Sequence, residues 1–150
     1  MAFRVYKGKE TIVYSRKTDT TTRFIEGSLV VLNTAGTLGL PANDSDDKIY
    51  GVCRKTILAK DSDENVPVAL ASEDVEYEID TDSDGGASST DVGRYAAVDT
   101  GDTTNPRATL DVSDSDIPHV FITQFVSATK VRGRLARTSL RKPATHDFDT

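Results

Sequence analysis

Seven consecutive residues of this chain, Asp74-Val75-Glu76-Tyr77-Glu78-Ile79-Asp80, alternate strictly between acidic and apolar side chains. A strand puts successive side chains on opposite faces, so Val75, Tyr77 and Ile79 share one face while Asp74, Glu76, Glu78 and Asp80 share the other. Like charges stacked along a sheet face repel one another. The acidic stripe must therefore be solvated or matched by a basic neighbour. Any fold for this chain has to give one strand an apolar side and a compensated acidic side.

The rest of the sequence is built from the same kind of residue. Thr (19), Val (14), Ile (7), Tyr (5) and Phe (5) supply 50 of 150 residues, all types that suit a pleated, half-buried surface. Asp outnumbers Glu by 18 to 6. Aspartate favours turns because its short carboxylate bonds nearby backbone amides, whereas glutamate is the better helix former. The expectation is an all-β chain with long acidic loops.

Strand-length runs follow along the chain. Phe3–Tyr6 is expected to turn at Lys7-Gly8-Lys9 into Glu10–Ser15, and Ile25–Leu32 and Thr37–Leu40 flank a turn at Asn33–Gly36. Ile49–Cys53 and Val66–Leu70 come next, and Pro67, which cannot donate to a ladder, places the second of these at a sheet edge. Gly93–Val98 and Arg107–Val112 flank a turn-rich segment. Val120–Val126 is apolar on both faces and reads as a central buried strand. Lys130–Leu135 alternates again, with Lys130, Arg132 and Arg134 on one side. A basic helix over 128–141 is the competing reading there, disfavoured by about 1 kcal/mol for an interior Gly133. Some ten short strands describe a compact barrel or sandwich. It is expected as one domain over residues 1–140, with residues 1–20 an N-terminal arm or hairpin and Arg141–Thr150 an extended tail.

Net charge is −6, but it is segregated. Residues 1–40 carry six Lys/Arg against three Asp/Glu, residues 41–120 six against nineteen, and residues 121–150 six against two. The acidic middle would repel a phosphate backbone, and no aromatic residues interleave with the basic ones as a stacking platform, which argues against nucleic acid. Opposed patches suit protein partners. No window of about 18 apolar residues spans a membrane, and the amino terminus lacks the apolar run of an export signal.

Chemistry is thinly represented. Cys53 is the single cysteine and reads as a small buried hydrophobe. His119 and His146 have no diagnostic spacing to it, and nucleophile-elbow, P-loop and dinucleotide motifs are absent. A non-enzymatic role is expected. Asn43-Asp44-Ser45 matches a glycosylation acceptor but reads as a loop. The most specific motif is Asp80-Thr81-Asp82-Ser83-Asp84-Gly85, the first half of a calcium loop, with Asp91 at position twelve. The preceding strand excludes an EF-hand, and a solvated acidic loop is the competing reading. No cofactor is expected other than calcium on Asp80, Asp82, Asp84 and Asp91.

The run Glu26-Gly27-Ser28-Leu29-Val30-Val31-Leu32, a turn at Gly36, and then Ile49-Tyr50-Gly51-Val52-Cys53 resembles the small β-rich capsid decoration (cement) proteins of tailed bacteriophages. Members carry a G-x-x-V strand followed some twenty residues later by a G-V-(small) strand; Gly27, Val30, Gly51, Val52 and Cys53 occupy those places. The likeness extends loosely over residues 20–137, and the acidic 73–91 segment departs from it. The resemblance implies a β-tulip-like barrel, a homotrimer or dimer, docked on the major capsid protein lattice at the capsid exterior after assembly in the host cytoplasm. Under that expectation Arg4, Lys7, Lys9, Lys130, Arg132, Arg134, Arg137, Arg141 and Lys142 grip an acidic capsid surface or the stripe Asp74, Glu76 and Glu78 of a sister subunit. A head-fibre base, a tail accessory or a calcium-dependent binding module are the alternatives.

Overall fold

The computed structural model describes residues 3–17, 23–33, 36–41, 48–57, 64–81, 86–99, 109–112 and 118–140. Eleven strands occur among them: β1 (Phe3–Lys7), β2 (Ile12–Lys17), β3 (Leu29–Leu32), β4 (Leu38–Gly39), β5 (Gly51–Cys53), β6 (Glu64–Leu70), β7 (Glu76–Asp80), β8 (Tyr95–Asp99), β9 (Thr109–Asp111), β10 (Val120–Ser127) and β11 (Lys130–Leu135). The only helical turns in the described residues are 3-10 turns at Ser89–Asp91 and Arg137–Ser139. The chain is all-β.

Two antiparallel sheets share the strands. One has six, in the order β1-β7-β11-β10-β8-β9, and the other five, in the order β2-β6-β5-β3-β4. The five-stranded sheet curls until its outer strands β2 and β4 come alongside each other without pairing, which makes it a half-barrel. Val30, Cys53, Val66 and Val68 point into its interior with Phe24, Leu38 and Ile57. Their neighbours Leu29, Val52 and Ala69 point the other way, into the layer between the sheets. There they meet Phe3, Tyr77, Ile79, Val98, Leu110, Ile122, Val131 and Leu135 from the six-stranded sheet. A sheet covered on both faces reads as continuous apolar sequence, which is why Leu29–Leu32 shows no alternation.

Three expectations need correction. β1 and β2 do not form a hairpin: β1 pairs with β7 and β2 with β6, in different sheets. The long-range pairing wins because it seats Phe3 edge-on against Tyr77, with ring centroids 5.6 Å apart, and sets Arg4 opposite Glu78. Pro67 is not at an edge, since β6 lies between β2 and β5. Opposite Tyr14 it occupies a position whose backbone groups point away from β2, and on the other side its carbonyl accepts from Arg54 N–H at 2.9 Å, just past the end of β5. The missing N–H therefore costs a single bond at a ladder terminus. Finally, β10 is interior and buried at Val120 and Ile122 but exposed from Gln124 to Ser127. Its pairing with β8 stops at Phe121, and the remainder is an emergent hairpin with β11 that carries two irregularities of register.

Candidate interaction surface

Of the acidic stripe predicted from the alternation, Glu76, Glu78 and Asp80 lie on β7 and are matched inside the chain, while Asp74 stands exposed just before it. β7 lies between β1 and β11, so Glu76 and Glu78 are flanked on both sides by cations brought from the two ends of the sequence, and Asp80 on the β11 side alone. Cross-strand register orders them into rows over the outer face of the six-stranded sheet. One row runs Lys7, Glu76, Arg134, Phe121, Tyr95. The next runs Arg4, Glu78, Arg132, Gln124, and the third Asp80, Lys130, Ser127. A sister subunit is not needed to neutralise the stripe.

Glu78 is the centre of this lattice. Its Oε1 accepts from Arg4 Nη2 at 3.1 Å and lies 3.6 Å from Lys130 Nζ. Its Oε2 lies 3.5 Å from Arg132 Nε, an ion pair without hydrogen-bond geometry. One carboxylate thus faces three cations. Arg132 is fixed from two further directions: its guanidinium carbon stands 3.7 Å from the Tyr6 ring centroid, and its Nη1 donates to Gln124 Oε1 at 2.7 Å. That stacking is a cation–π contact with a guanidinium already in place. Glu76 is buried; it accepts from Thr123 Oγ1 at 2.6 Å and lies 3.8 Å from Arg134 Nη2. Beyond Arg134, Phe121 and Tyr95 pack with ring centroids 5.3 Å apart, Tyr95 nearly half exposed.

The remaining partner-binding candidates scatter. Arg137 Nε lies 3.5 Å from Glu73 Oε1 in the open, Lys7 stands over Tyr6, and Lys9 is exposed in the link before β2. Asp74 is exposed, with its N–H donated to Ser72 Oγ. Arg141 and Lys142 lie outside the described residues.

The calcium candidates are occupied otherwise where they are described. Asp80 lies 4.0 Å from Lys130 Nζ. Asp91 Oδ2 accepts from Ser88 N–H at 2.8 Å in a capping box that starts the 3-10 turn. Asp82 and Asp84 lie outside the described residues, and no cluster of three metal-ligating side chains occurs among the described ones. His146 and Asn43-Asp44-Ser45 also lie outside them.

Cys53 and His119 are not brought together. Cys53 is buried inside the half-barrel, its Sγ donating to Lys55 O, and burial pushes the thiol pKa up. His119 is buried beside β8, where its Nδ1 accepts from Val98 N–H at 3.0 Å. Its carbonyl accepts from Ala136 N–H and Ser139 Oγ. The histidine splices the end of β8 to the segment after β11.

Sequence reasoning missed one linkage. Arg54, just past β5, grips both oxygens of Glu10, with Nε 3.0 Å from Oε1, and donates through Nη1 to Phe3 O at 2.9 Å. The bond to Phe3 O ties β1 of one sheet to the end of β5 of the other, and Glu10, in the link before β2, holds the guanidinium in place for it. Neither residue belongs to a motif, and only the long-range register brings them together. Comparison with family models, with curated proteins and with solved structures found no match for this chain.

Proposed function

We propose that this chain is a structural decoration (cement) protein of a tailed-phage head, binding the assembled major capsid protein lattice and stabilising it. The observation that carries this reading is the outer face of the six-stranded sheet. It offers Arg4, Lys130, Arg132 and Arg134 half-exposed and held in register by carboxylates of the same chain. Side chains fixed before contact lose little further entropy on docking, so a modest interface binds more tightly than loose cations would. A lattice with hundreds of equivalent sites multiplies such contacts if the protein docks as an oligomer. The resemblance in residues 26–53 supplies the identity of the partner, and it favours a homotrimer at the capsid exterior; the acidic middle of the chain argues against direct nucleic-acid contact.

The test is co-sedimentation of the purified protein with empty shells assembled from the major capsid protein of the same phage. Saturable pelleting at low salt, with a fixed number of copies per capsomer, is the expected result. If the protein stays in the supernatant at low salt, where ion pairing is strongest, the reading is wrong.

A further inference from the structure

Where β1, β7 and β11 lie side by side, the outer face carries five cations, Arg4, Lys7, Lys130, Arg132 and Arg134, against three carboxylates, Glu76, Glu78 and Asp80, while Asp111 stands on the same face at the far β9 edge. It is a locally basic surface on a chain whose net charge is −6. The surplus is concentrated at Glu78, which faces Arg4, Arg132 and Lys130, the last shared with Asp80. These cations remain partly open to solvent, with side-chain exposures of 46, 30 and 25%, and Arg134 is 38% exposed. Glu78 cannot give both Arg4 and Arg132 a bidentate partner while it also faces Lys130.

We infer that this face docks an acidic protein surface by exchange, with partner carboxylates taking up the cations that Glu78 holds in the free protein. The inference rests on the structural-binding reading above and names the chemistry of its partner. Glu78 acts as an internal stand-in: it keeps Arg4 and Arg132 oriented outward and compensated until contact. The cations form two columns, on β1 and β11, on either side of the acidic column of β7. Two strand spacings separate them, roughly 10 Å. Partner carboxylates reach the columns without opposing the stripe between them. A nucleic acid is disfavoured on the same geometry, because its phosphates would pass over Glu76, Glu78 and Asp80. Phe121 and Tyr95, at the end of the Arg134 row, add apolar contact beside the charges.

The inference makes a prediction whose sign a purely structural ion pair would not produce. Binding is read by fluorescence anisotropy of a labelled 20-residue polyglutamate probe at low salt, with the full chain. Glu78→Gln removes the internal competitor and is expected to tighten binding by about threefold, the size of one partly exposed charge contact. Arg4→Ala combined with Arg134→Ala is expected to weaken it by about fivefold. Lys55→Ala, exposed just past β5 of the other sheet, should leave it unchanged. Both arginines lie on the partly exposed face, so that double variant remains informative even if Glu78→Gln fails to fold. Weaker binding by folded Glu78→Gln overturns the exchange. Equal binding by the double arginine variant overturns the docking face, and tighter binding of a duplex DNA of equal charge overturns the acidic-protein partner. If polyglutamate behaves as expected while capsid shells do not co-sediment, the surface stands and the capsid as its partner falls. The opposite pattern would leave the capsid as partner and place its docking elsewhere on the molecule.

Discussion

At the scale of single residues, Gly27 and Gly51 have physical reasons that spelling alone does not reveal. A Cβ on Gly51 would stand 2.3 Å from Ala69 O and 2.4 Å from Val68 Cγ1, so β5 and β6 can only meet this closely with no side chain there. Gly27 has φ 88° and uses both backbone groups, donating to Cys53 O and accepting from Phe3 N–H. Gly51→Ala is expected to destabilise the fold by about 3 kcal/mol through overpacking against backbone that cannot yield, measured by urea denaturation. Tyr77 makes the second prediction at this scale. It is fully buried, its hydroxyl has no hydrogen-bond partner among the described residues, and its pKa is pushed up to about 12, first by burial and then by Glu10, with Arg54 opposing. Since the folded pKa exceeds the unfolded value near 10, the folded protein holds the proton longer. The contribution is fully present below pH 10 and declines as pH rises towards 12, by about 2–3 kcal/mol in all. Tyr77→Phe should flatten that alkaline loss in denaturation midpoints taken from pH 9 to 12. At pH 7 it should be neutral or slightly stabilising, because an unpaired hydroxyl is removed. A variant as alkali-sensitive as the parent would show that the loss originates elsewhere.

At the scale of elements, strands were legible and their partners were not. The alternation at 74–80 and 130–135 defined β7, β11 and their inward faces, because side-chain direction is a local property of an extended chain. Pairing is decided by what a strand buries and which charges it meets across the sheet. Lys7-Gly8-Lys9 therefore looks like a hairpin turn yet hands the chain from one sheet to the other. Pro67 looks like an edge marker because its effect depends on which neighbour its missing N–H faces, and that neighbour strand ends one residue earlier. Phe125 and Val126 are apolar but about 40% exposed, since β10 outruns its partner β8. The Arg54–Glu10 pair belongs to this scale too, for it fixes the guanidinium that holds β1 against the half-barrel through Phe3 O. Its side chains are 14 and 15% exposed, so removing one partner strands the other where water reaches it poorly. Glu10→Gln is expected to lower unfolding free energy by about 3 kcal/mol. Arg54→Met in the same background should recover part of the loss, and a double variant no better than Glu10→Gln in urea denaturation would argue against a buried, coupled pair.

At the scale of the whole molecule, the charge segregation of the sequence becomes an arrangement in space. Two basic ends and an acidic middle look like material for contacts between subunits. Antiparallel pairing instead brings β1 and β11 onto the flanks of β7, so much of the opposition is resolved within one copy. What was legible was the need for a basic neighbour; that the neighbour would come from the same chain depends on strand order, which no local pattern encodes. If the cations left over on that face dock a partner as proposed, binding adds to stability. A partner that binds only the folded state adds RT ln(1 + [L]/Kd), about 2.7 kcal/mol when its sites are present at a hundredfold excess over Kd. For a chain of this length that corresponds to a rise in melting temperature of roughly 5–10 °C. Calorimetry of the protein with and without shells should show that rise at low salt. Raising salt should erase the difference by lowering the bound midpoint towards the free one, because the intermolecular pairs are lost while the core between the sheets is unaffected. A free-protein midpoint that falls as steeply with salt as the bound one would place the charge lattice among the determinants of folding and leave it no separate part in docking.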